Sequence, residues 1–197
     1  MAKSSADRLS GNAALVIVDV QKGFDDPRWG RRNNPEAEAN IAKLLEAWRR
    51  SHRPIFHIQH SSREKDSPLR PGTAGHGIKE IVAPRRGEVV VRKHVNSGFI
   101  GTDLEERLRG SKIGTIVVVG LTTDHCVATT ARMAGNLGFE TYVVSDATAT
   151  FDRLGPDGKS YRAEDVHAIN LASLHNEFAK IVDTNELLKR LDQESTR

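Results

Sequence analysis

Two apolar runs rich in β-branched residues place the strongest constraint on the fold. Residues 14–20 read ALVIVDV, and residues 115–120 read TIVVVG. Apart from Asp19, neither run alternates apolar with polar residues, so a strand built from either one would be buried on both faces. Strands of this kind are typical of a parallel sheet covered by helices. The chain is therefore predicted to adopt an α/β fold.

The remaining segments alternate between helical and strand-like patterns. Helices are predicted over 35–50, 103–108, 123–137, 163–178 and after Thr184, and further strands over 54–60, 88–93, 141–145 and 180–183. This alternation predicts a three-layer α/β/α, Rossmann-like fold with a mainly parallel six-stranded sheet. Because no repeat, linker or low-complexity segment interrupts it, residues 1–197 are predicted to form one domain with a core at about 13–183.

Two long segments between these elements carry neither pattern. Residues 61–87 contain Pro68, Pro71 and several glycines, and residues 151–161 contain GPDGKS, which is typical of a turn. A long loop in a compact domain is often functional. Substrate specificity is therefore expected to lie in residues 61–87 and in the shorter loop over 25–34.

The composition argues against several classes of function. The 29 Lys and Arg and the 26 Asp and Glu residues are mixed along the chain and give a formal charge of only +3, so no nucleic-acid partner is expected. The longest apolar runs, such as 116–119, are too short to cross a bilayer. Residues 1–13 lack the apolar segment of a secretory signal, so a cytoplasmic protein without a membrane partner is expected.

Polar side chains mark the carboxyl ends of the predicted strands. Asp19, His60 and Lys93 close three strands, and Cys126 follows a fourth after a short turn. Ligands bind beyond the carboxyl ends of the strands in open parallel sheets. An acid, a base and a thiol are therefore predicted to converge at one edge of the sheet.

Cys126 is the only cysteine, which excludes an internal disulfide and a four-cysteine zinc site. A free cysteine is usually buried and inert. Cys126, however, falls in the first turn of a predicted helix, where unpaired N–H groups stabilise a thiolate and can hold an oxyanion. A nearby Lys93 ammonium would lower the thiol pKa further, and Asp19 could accept the proton. These residues predict a nucleophilic cysteine.

Three motifs carry a resemblance to a known family. They are LVIVDVQKGF at 15–24, VRKHVNSGF at 91–99 followed by GTDL at 101–104, and VGLTTDHCV at 119–127. In this order they resemble the isochorismatase-like cysteine hydrolases, which include nicotinamidases and N-carbamoylsarcosine amidases. The resemblance covers about residues 13–183.

The resemblance implies roles for particular residues. Asp19, Lys93 and Cys126 would form a catalytic triad. A cis peptide would precede Thr122, and the backbone N–H groups of Thr122 and Cys126 would form the oxyanion hole. The resemblance also implies a homodimer or homotetramer.

The predicted function is hydrolysis of a small amide or carbamoyl C–N bond through a covalent thioester, acting on a small-molecule substrate without a cofactor. Two alternatives stay open. One is vinyl-ether hydrolysis of the isochorismatase type, although that branch commonly lacks the nucleophilic cysteine. The other is a non-catalytic binding or interaction module, which has no need of a reactive thiol.

The histidines give no convincing metal site. His57 and His60, three residues apart on a strand, point to opposite faces, whereas His60 and His76 could meet across the long loop. Nicotinamidases of the resembling family bind a metal through an Asp-x-His element near this region. Residues 57–62 read HIQHSS instead, so no metal is predicted and nicotinamide is a disfavoured substrate. His125 is a weak candidate base, because adjacent residues on a helix do not face each other.

Several side chains near the predicted site are candidate substrate contacts. Phe24, Trp29 and Phe151 could wall a small apolar pocket. His60 and Thr123 are expected to contribute polar contacts.

Overall fold

The computed structural model describes residues 9–192, which are built around a six-stranded sheet. The strands are β1 (Ala14–Val18), β2 (Ile55–His60), β3 (Val89–Lys93), β4 (Thr115–Leu121), β5 (Glu140–Ala149), β6 (Arg153–Leu154), β7 (Ser160–Tyr161) and β8 (Lys180–Val182). The sheet has the order β3-β2-β1-β4-β5-β8 with every neighbouring pair parallel, and β6 and β7 form a separate hairpin. The connections reverse direction between β1 and β4, so a cleft is expected at the carboxyl ends of these two strands.

Helices cover both faces of the sheet. They are α1 (Ala37–Arg50), α2 (Leu104–Gly110), α3 (Ala128–Asn136), α4 (Ala163–Leu174) and α5 (Thr184–Asp192). The apolar side chains of α1 and α5 pack on one face, and those of α2, α3 and α4 pack on the other. Alternate residues of β1 enter the two cores, Leu15 and Ile17 one of them and Val16 and Val18 the other. The predicted three-layer α/β fold with a parallel six-stranded sheet is confirmed.

Two predicted elements differ from the observed ones beside the candidate residues. The strand predicted over 14–20 ends at Val18, because Asp19 adopts a left-handed conformation with a φ of 51°. The helix predicted over 123–137 begins with a π-helical turn at Thr123–Val127, and regular α3 follows. Both irregularities leave the apolar spacing unchanged, so the pattern could not reveal them. Such features are frequent at functional sites.

Two further boundaries differ at the other end of the chain. The strand predicted over 141–145 extends to Ala149, since a register shift near Gly120 lets its last residues pair with the end of β4. The polar residues in this extension masked its strand character. The helix predicted over 163–178 ends at Leu174, because His175 is extended with a ψ of 125°.

The irregular segments carry only short elements. Residues 61–87 contain 3-10 turns at Ala74–His76 and Glu80–Val82, and residues 151–161 hold the β6–β7 hairpin with its predicted turn. Within residues 9–192, no helix is both long and apolar enough to cross a membrane. The prediction about a secretory signal concerned the N-terminus, where residues 1–8 lie outside the described residues.

Gly120 permits the close approach of the two central strands. Its φ is +123°, and a Cβ atom placed there would lie 2.0 Å from the carbonyl oxygen of Val18. Any larger residue would have to push β4 away from β1 or adopt a strained backbone. The carboxyl ends of these strands can therefore lie side by side only because residue 120 is glycine.

The variant Gly120→Ala should lower the free energy of unfolding by about 2 to 5 kcal/mol, from backbone strain and overpacking together. Gly114→Ala is the matched control, because its added Cβ meets no atom within 4 Å, and it should change stability by no more than about 1 kcal/mol. Urea unfolding followed by circular dichroism measures both. Equal stability of the two variants would contradict the close approach.

Candidate active site

Asp19 lies at the carboxyl end of β1 and is fully buried. Its backbone N–H still donates to the carbonyl of Ile58 in β2, at 2.9 Å, so the left-handed residue stays anchored to the sheet. Aspartate tolerates this conformation better than a β-branched residue would. Its carboxylate faces Lys93 and Cys126, the two other members of the predicted triad.

Lys93 closes β3, opposite His60 of β2 in the strand register, and is fully buried. Its Nζ donates to Asp19 Oδ2 at 2.6 Å, to His60 Nδ1 at 3.1 Å and to the Val95 carbonyl at 3.1 Å. The same nitrogen lies 3.3 Å from Cys126 Sγ. Because a buried ammonium is costly without partners, these contacts are what allow a lysine at this position.

Cys126 is held in the π-helical turn that follows β4. A cis peptide joins Leu121 to Thr122 at the start of this turn, where the resemblance implied one. The side chain is 8% exposed, and Sγ also lies 3.7 Å from Asn96 Oδ1. The structure therefore brings Asp19, Lys93 and Cys126 together, as the strand ends predicted, while their catalytic roles stay a prediction.

Burial has the largest effect on the pKa of the Cys126 thiol. Burial raises the pKa of Cys126, the Asp19 carboxylate raises it further, and Lys93 offsets only part of the rise. Burial also raises the pKa of Asp19 against the opposing charge of Lys93. Lys93 lowers the thiol pKa as the sequence predicted, but burial outweighs it, and the sequence could not show how deeply the sulfur is buried. Asp19 Oδ1 is buried without a hydrogen-bond partner within residues 9–192, which leaves it free to accept a proton.

His60 is a neutral member of this cluster. Burial lowers its pKa to about 4, and the charge of Lys93 lowers it in the same direction. Since the ammonium can only donate, His60 Nδ1 accepts its hydrogen bond. One ligand atom each from Asp19, His60 and Cys126 lie within 4.8 Å of one another, which is a spacing that a metal ion could use. The Lys93 ammonium contacts all three side chains, however, and already supplies the positive charge between them.

The other histidines contact different partners, although His125 lines the same cavity as His60 and Cys126. His57 Nε2 lies 2.9 Å from Glu88 Oε2 on the α1 side of the sheet. His76 Nε2 lies 2.9 Å from the Ser61 hydroxyl, and His125 Nε2 lies 3.4 Å from Asp124 Oδ2. Among the residues that the structure describes, none of these three joins His60 in a group with metal-binding spacing.

A cavity of about 210 Å³ lies directly outside the thiol. Its walls include Phe24, Trp29 and His60, all singled out in the sequence, together with Thr122 and Cys126. A larger hollow of about 520 Å³ lies between residues 22–28 and 65–75. That hollow contains neither the thiol nor the acid, so the smaller cavity is the better candidate for binding a substrate.

Two predicted substrate contacts lie behind the cavity wall. Thr123 has no exposed surface, and its Oγ1 lies 2.9 Å from His167 Nδ1. Phe151 is 2% exposed, and its ring centroid lies 6.2 Å from that of Phe24 and 5.8 Å from that of Trp29. Both side chains therefore pack behind the residues that line the cavity. Their positions in loops did not reveal this depth of burial.

Sequence reasoning missed several residues at this site. Asn96 and Arg153 line the cavity, and Gln21 holds His60 by accepting from its N–H at 2.8 Å and donating to its carbonyl at 3.0 Å. Asn96 could have been predicted, because it lies three residues after Lys93 at the same strand end. Nothing in the sequence pointed to Arg153, because only the β6–β7 hairpin brings it to the cavity.

Comparison with known proteins agrees with this fold. The family model of the isochorismatase domain matches residues 13–186. The isochorismatase family protein YrdC of Bacillus subtilis (strain 168) is 53% identical over 175 residues, which cover 89% of this chain and 94% of that protein.

Solved structures show the same relationship. A protein from Chromobacterium violaceum ATCC 12472, described as a hydrolase of the isochorismatase family, aligns with a TM-score of 0.92 and 43% identity over 94% of this chain and 97% of that one. N-carbamoylsarcosine amidase from Thermoplasma acidophilum aligns with a TM-score of 0.71 and 27% identity over 88% of this chain and 97% of that one. The family domain spans the sheet and every candidate residue at its carboxyl edge, and the chain therefore belongs to the isochorismatase family of hydrolases.

Proposed function

We propose that this chain is a cysteine hydrolase of a small amide or carbamoyl C–N bond, with Cys126 as nucleophile and Asp19 as base. The observation that carries the proposal is the position of the Lys93 ammonium, 2.6 Å from Asp19 Oδ2 and 3.3 Å from Cys126 Sγ. A buried acid, ammonium and thiol cost stability that an apolar core would not. Such a group beside a cavity is typical of a catalytic site.

In the first half-reaction, Cys126 Sγ attacks the carbonyl carbon while the thiol proton passes to Asp19. The raised pKa of both groups suits this order, since the proton leaves the sulfur only as the bond to carbon forms. The backbone N–H groups of Thr122 and Cys126 would hold the oxyanion. Lys93 would stabilise the negative charge that develops on the sulfur as its proton leaves.

Collapse of this intermediate breaks the C–N bond. Asp19 returns the proton to the departing nitrogen, and the acyl group remains on Cys126 as a thioester. Asp19 then takes a proton from water, whose oxygen attacks the thioester carbonyl. The C–S bond breaks, the acid product leaves, and the sulfur regains its proton from Asp19. One water is consumed, an amine and an acid are released, and no step requires a cofactor.

The choice between reaction classes rests on the thiol. The neighbour named N-carbamoylsarcosine amidase supports C–N chemistry on this fold. Vinyl-ether hydrolysis does not need a nucleophilic sulfur, and a non-catalytic binding module does not need a buried Asp19–Lys93 pair beside one.

A cytoplasmic location and a homodimeric or homotetrameric state stay predictions from the sequence.

A screen of small amides, ureides and carbamoyl compounds tests the covalent route. The wild-type chain should hydrolyse at least one of them, and acid-quenched samples should show an acyl adduct on Cys126 by intact mass. Cys126→Ala should lose the adduct and at least about a thousandfold in turnover, because the nucleophile is absent. Iodoacetamide should inhibit the wild-type chain in step with alkylation.

Circular dichroism of Cys126→Ala and Cys126→Ser controls for folding. Turnover that survives in Cys126→Ala, or in the fully alkylated protein, would overturn the covalent route and favour vinyl-ether hydrolysis.

The variant Asp19→Asn should separate thiol reactivity from turnover. Removing the carboxylate removes a charge that raises the thiol pKa, so iodoacetamide alkylation at pH 7 should speed up about tenfold for each unit by which that pKa falls. Hydrolysis should nevertheless fall at least about a hundredfold, because no base remains. Rates of alkylation and of hydrolysis measured on one preparation test both outcomes.

Asp103→Asn, at the exposed start of α2, is the control and should change neither rate. Thermal unfolding verifies that Asp19→Asn remains folded. Full hydrolysis by folded Asp19→Asn would be incompatible with Asp19 as the base.

A further inference from the structure

The charges around the cavity bear on which substrate the proposed hydrolase accepts. Phe24 and Trp29 supply an aromatic part of the wall, and Glu64, Arg153 and the His125 ring supply its ionisable groups. A bound substrate would interact most strongly with a charge that has no partner within the protein.

The buried cluster behind Cys126 carries no net charge. Asp19 and Lys93, which do not line the cavity themselves, lie 2.6 Å apart and cancel each other. His60 adds no charge near neutral pH, because its pKa is lowered to about 4 by burial and by the ammonium. The reacting end of a substrate therefore meets a neutral surface.

Arg153 is already neutralised. Its Nε donates to Asp124 Oδ2 at 2.7 Å and its Nη2 donates to Asp124 Oδ1 at 3.1 Å, a bidentate pair. Burial would raise the pKa of Asp124, but the hydrogen bonds from Arg153 and Thr150 outweigh it and lower the pKa to about 2. The His125 ring lies 3.4 Å from the same carboxylate. Arg153 is therefore a poor receptor for a further anion.

Glu64 keeps an uncompensated charge. Within residues 9–192 its carboxylate makes no ion pair or hydrogen bond, and only its backbone is bound, by the Ser62 hydroxyl and the Ser67 N–H. Arg28 and Lys65 line a neighbouring hollow that Glu64 also lines, but neither bonds to the Glu64 carboxylate and both are absent from the lining of this cavity. With the histidines counted as neutral, the lining of the cavity and its paired partners carry one excess negative charge, at Glu64.

We propose that Glu64 is a specificity-determining residue that selects substrates by charge. The cavity takes small amides whose non-reacting part is neutral or carries an ammonium group, and it discriminates against amides that carry a carboxylate. The proposal rests on the hydrolase function for its chemistry, since it names the substrate class of that same site. The effect is moderate and sensitive to salt, because Glu64 is exposed to water.

Three amides that differ in their terminal group test the selection. They are butyramide, which is neutral, β-alaninamide, which carries an ammonium, and succinamate, which carries a carboxylate. The wild-type chain should give a higher kcat/KM for β-alaninamide than for succinamate. In Glu64→Gln that ratio should fall about three- to tenfold at low ionic strength and by less in 0.5 M salt, from Coulomb interactions across a few ångströms of partly exposed surface.

Alkylation of Cys126 tests the same charge without any turnover. Rates with 2-bromoethylammonium and with iodoacetate are each divided by the rate with the urea-unfolded chain, which removes the intrinsic reactivity of the reagents. The ratio of the cationic to the anionic reagent should fall about three- to tenfold in Glu64→Gln. Asp66→Asn is the matched control, because it removes a charge from the same segment outside the cavity, and it should leave the ratio unchanged.

The two readouts separate the possible failures. If none of the three amides is hydrolysed but the alkylation ratio falls, Glu64 selects by charge, and the failure lies in the hydrolysis of simple amides, which the wider substrate screen tests separately. A ratio that stays the same in Glu64→Gln, or that falls as much in Asp66→Asn, overturns the selection by Glu64 whatever the enzyme hydrolyses.

Discussion

The buried ammonium of Lys93 imposes the condition that the rest of the site has to meet. It has no exposed surface, so its hydrogens need fixed acceptors. Asp19 follows β1, His60 ends β2, and the Val95 carbonyl follows β3. The sulfur of Cys126, in the turn after β4, lies beside the same nitrogen. Parallel strands in the order β3-β2-β1-β4 bring these positions to one edge. A slip of one residue in the pairing of β3 would turn Lys93 to the opposite face of the sheet. The strand register therefore decides whether Lys93 can reach Asp19 and Cys126.

The cavity outside this cluster is shaped by loops that ion pairs hold in place. Arg31, in the loop that carries Trp29, lies 2.8 Å from Asp152 and 2.7 Å from Glu164. Arg32 of the same loop lies 2.6 Å from Glu38 of α1. The Arg31 pairs are exposed and contribute little to stability one at a time, whereas the Arg32–Glu38 pair is mostly buried. Together these pairs hold the loop that carries Trp29 from two sides.

The fold and the positions of the candidate site residues could be predicted from the same pattern in the sequence. Apolar runs identify buried strands, and the residue that ends each strand is then known, which placed Asp19, His60 and Lys93 at one edge. The left-handed conformation of Asp19 and the π-helical turn of Cys126 could not be predicted from the sequence, because neither changes the spacing of apolar residues. Arg153 was missed because its place depends on a hairpin that folds back from a distant segment. The effect of Lys93 on the pKa of Cys126 could be predicted, but the larger effect of burial could not, because burial is a property of the packed structure.

The candidate site residues come from two separate parts of the sequence, and this has a consequence for synthesis of the chain. Asp19, His60 and Lys93 all precede residue 94, whereas Cys126 follows β4, which pairs with β1 at the centre of the sheet. A nascent chain that ends before β4 already contains the acid and the ammonium, but β1 still lacks its neighbour on one side. Non-local strand pairing of this kind forms late, because a long loop has to close first. The sulfur of Cys126 can therefore meet Asp19 and Lys93 only once β4 has paired with β1.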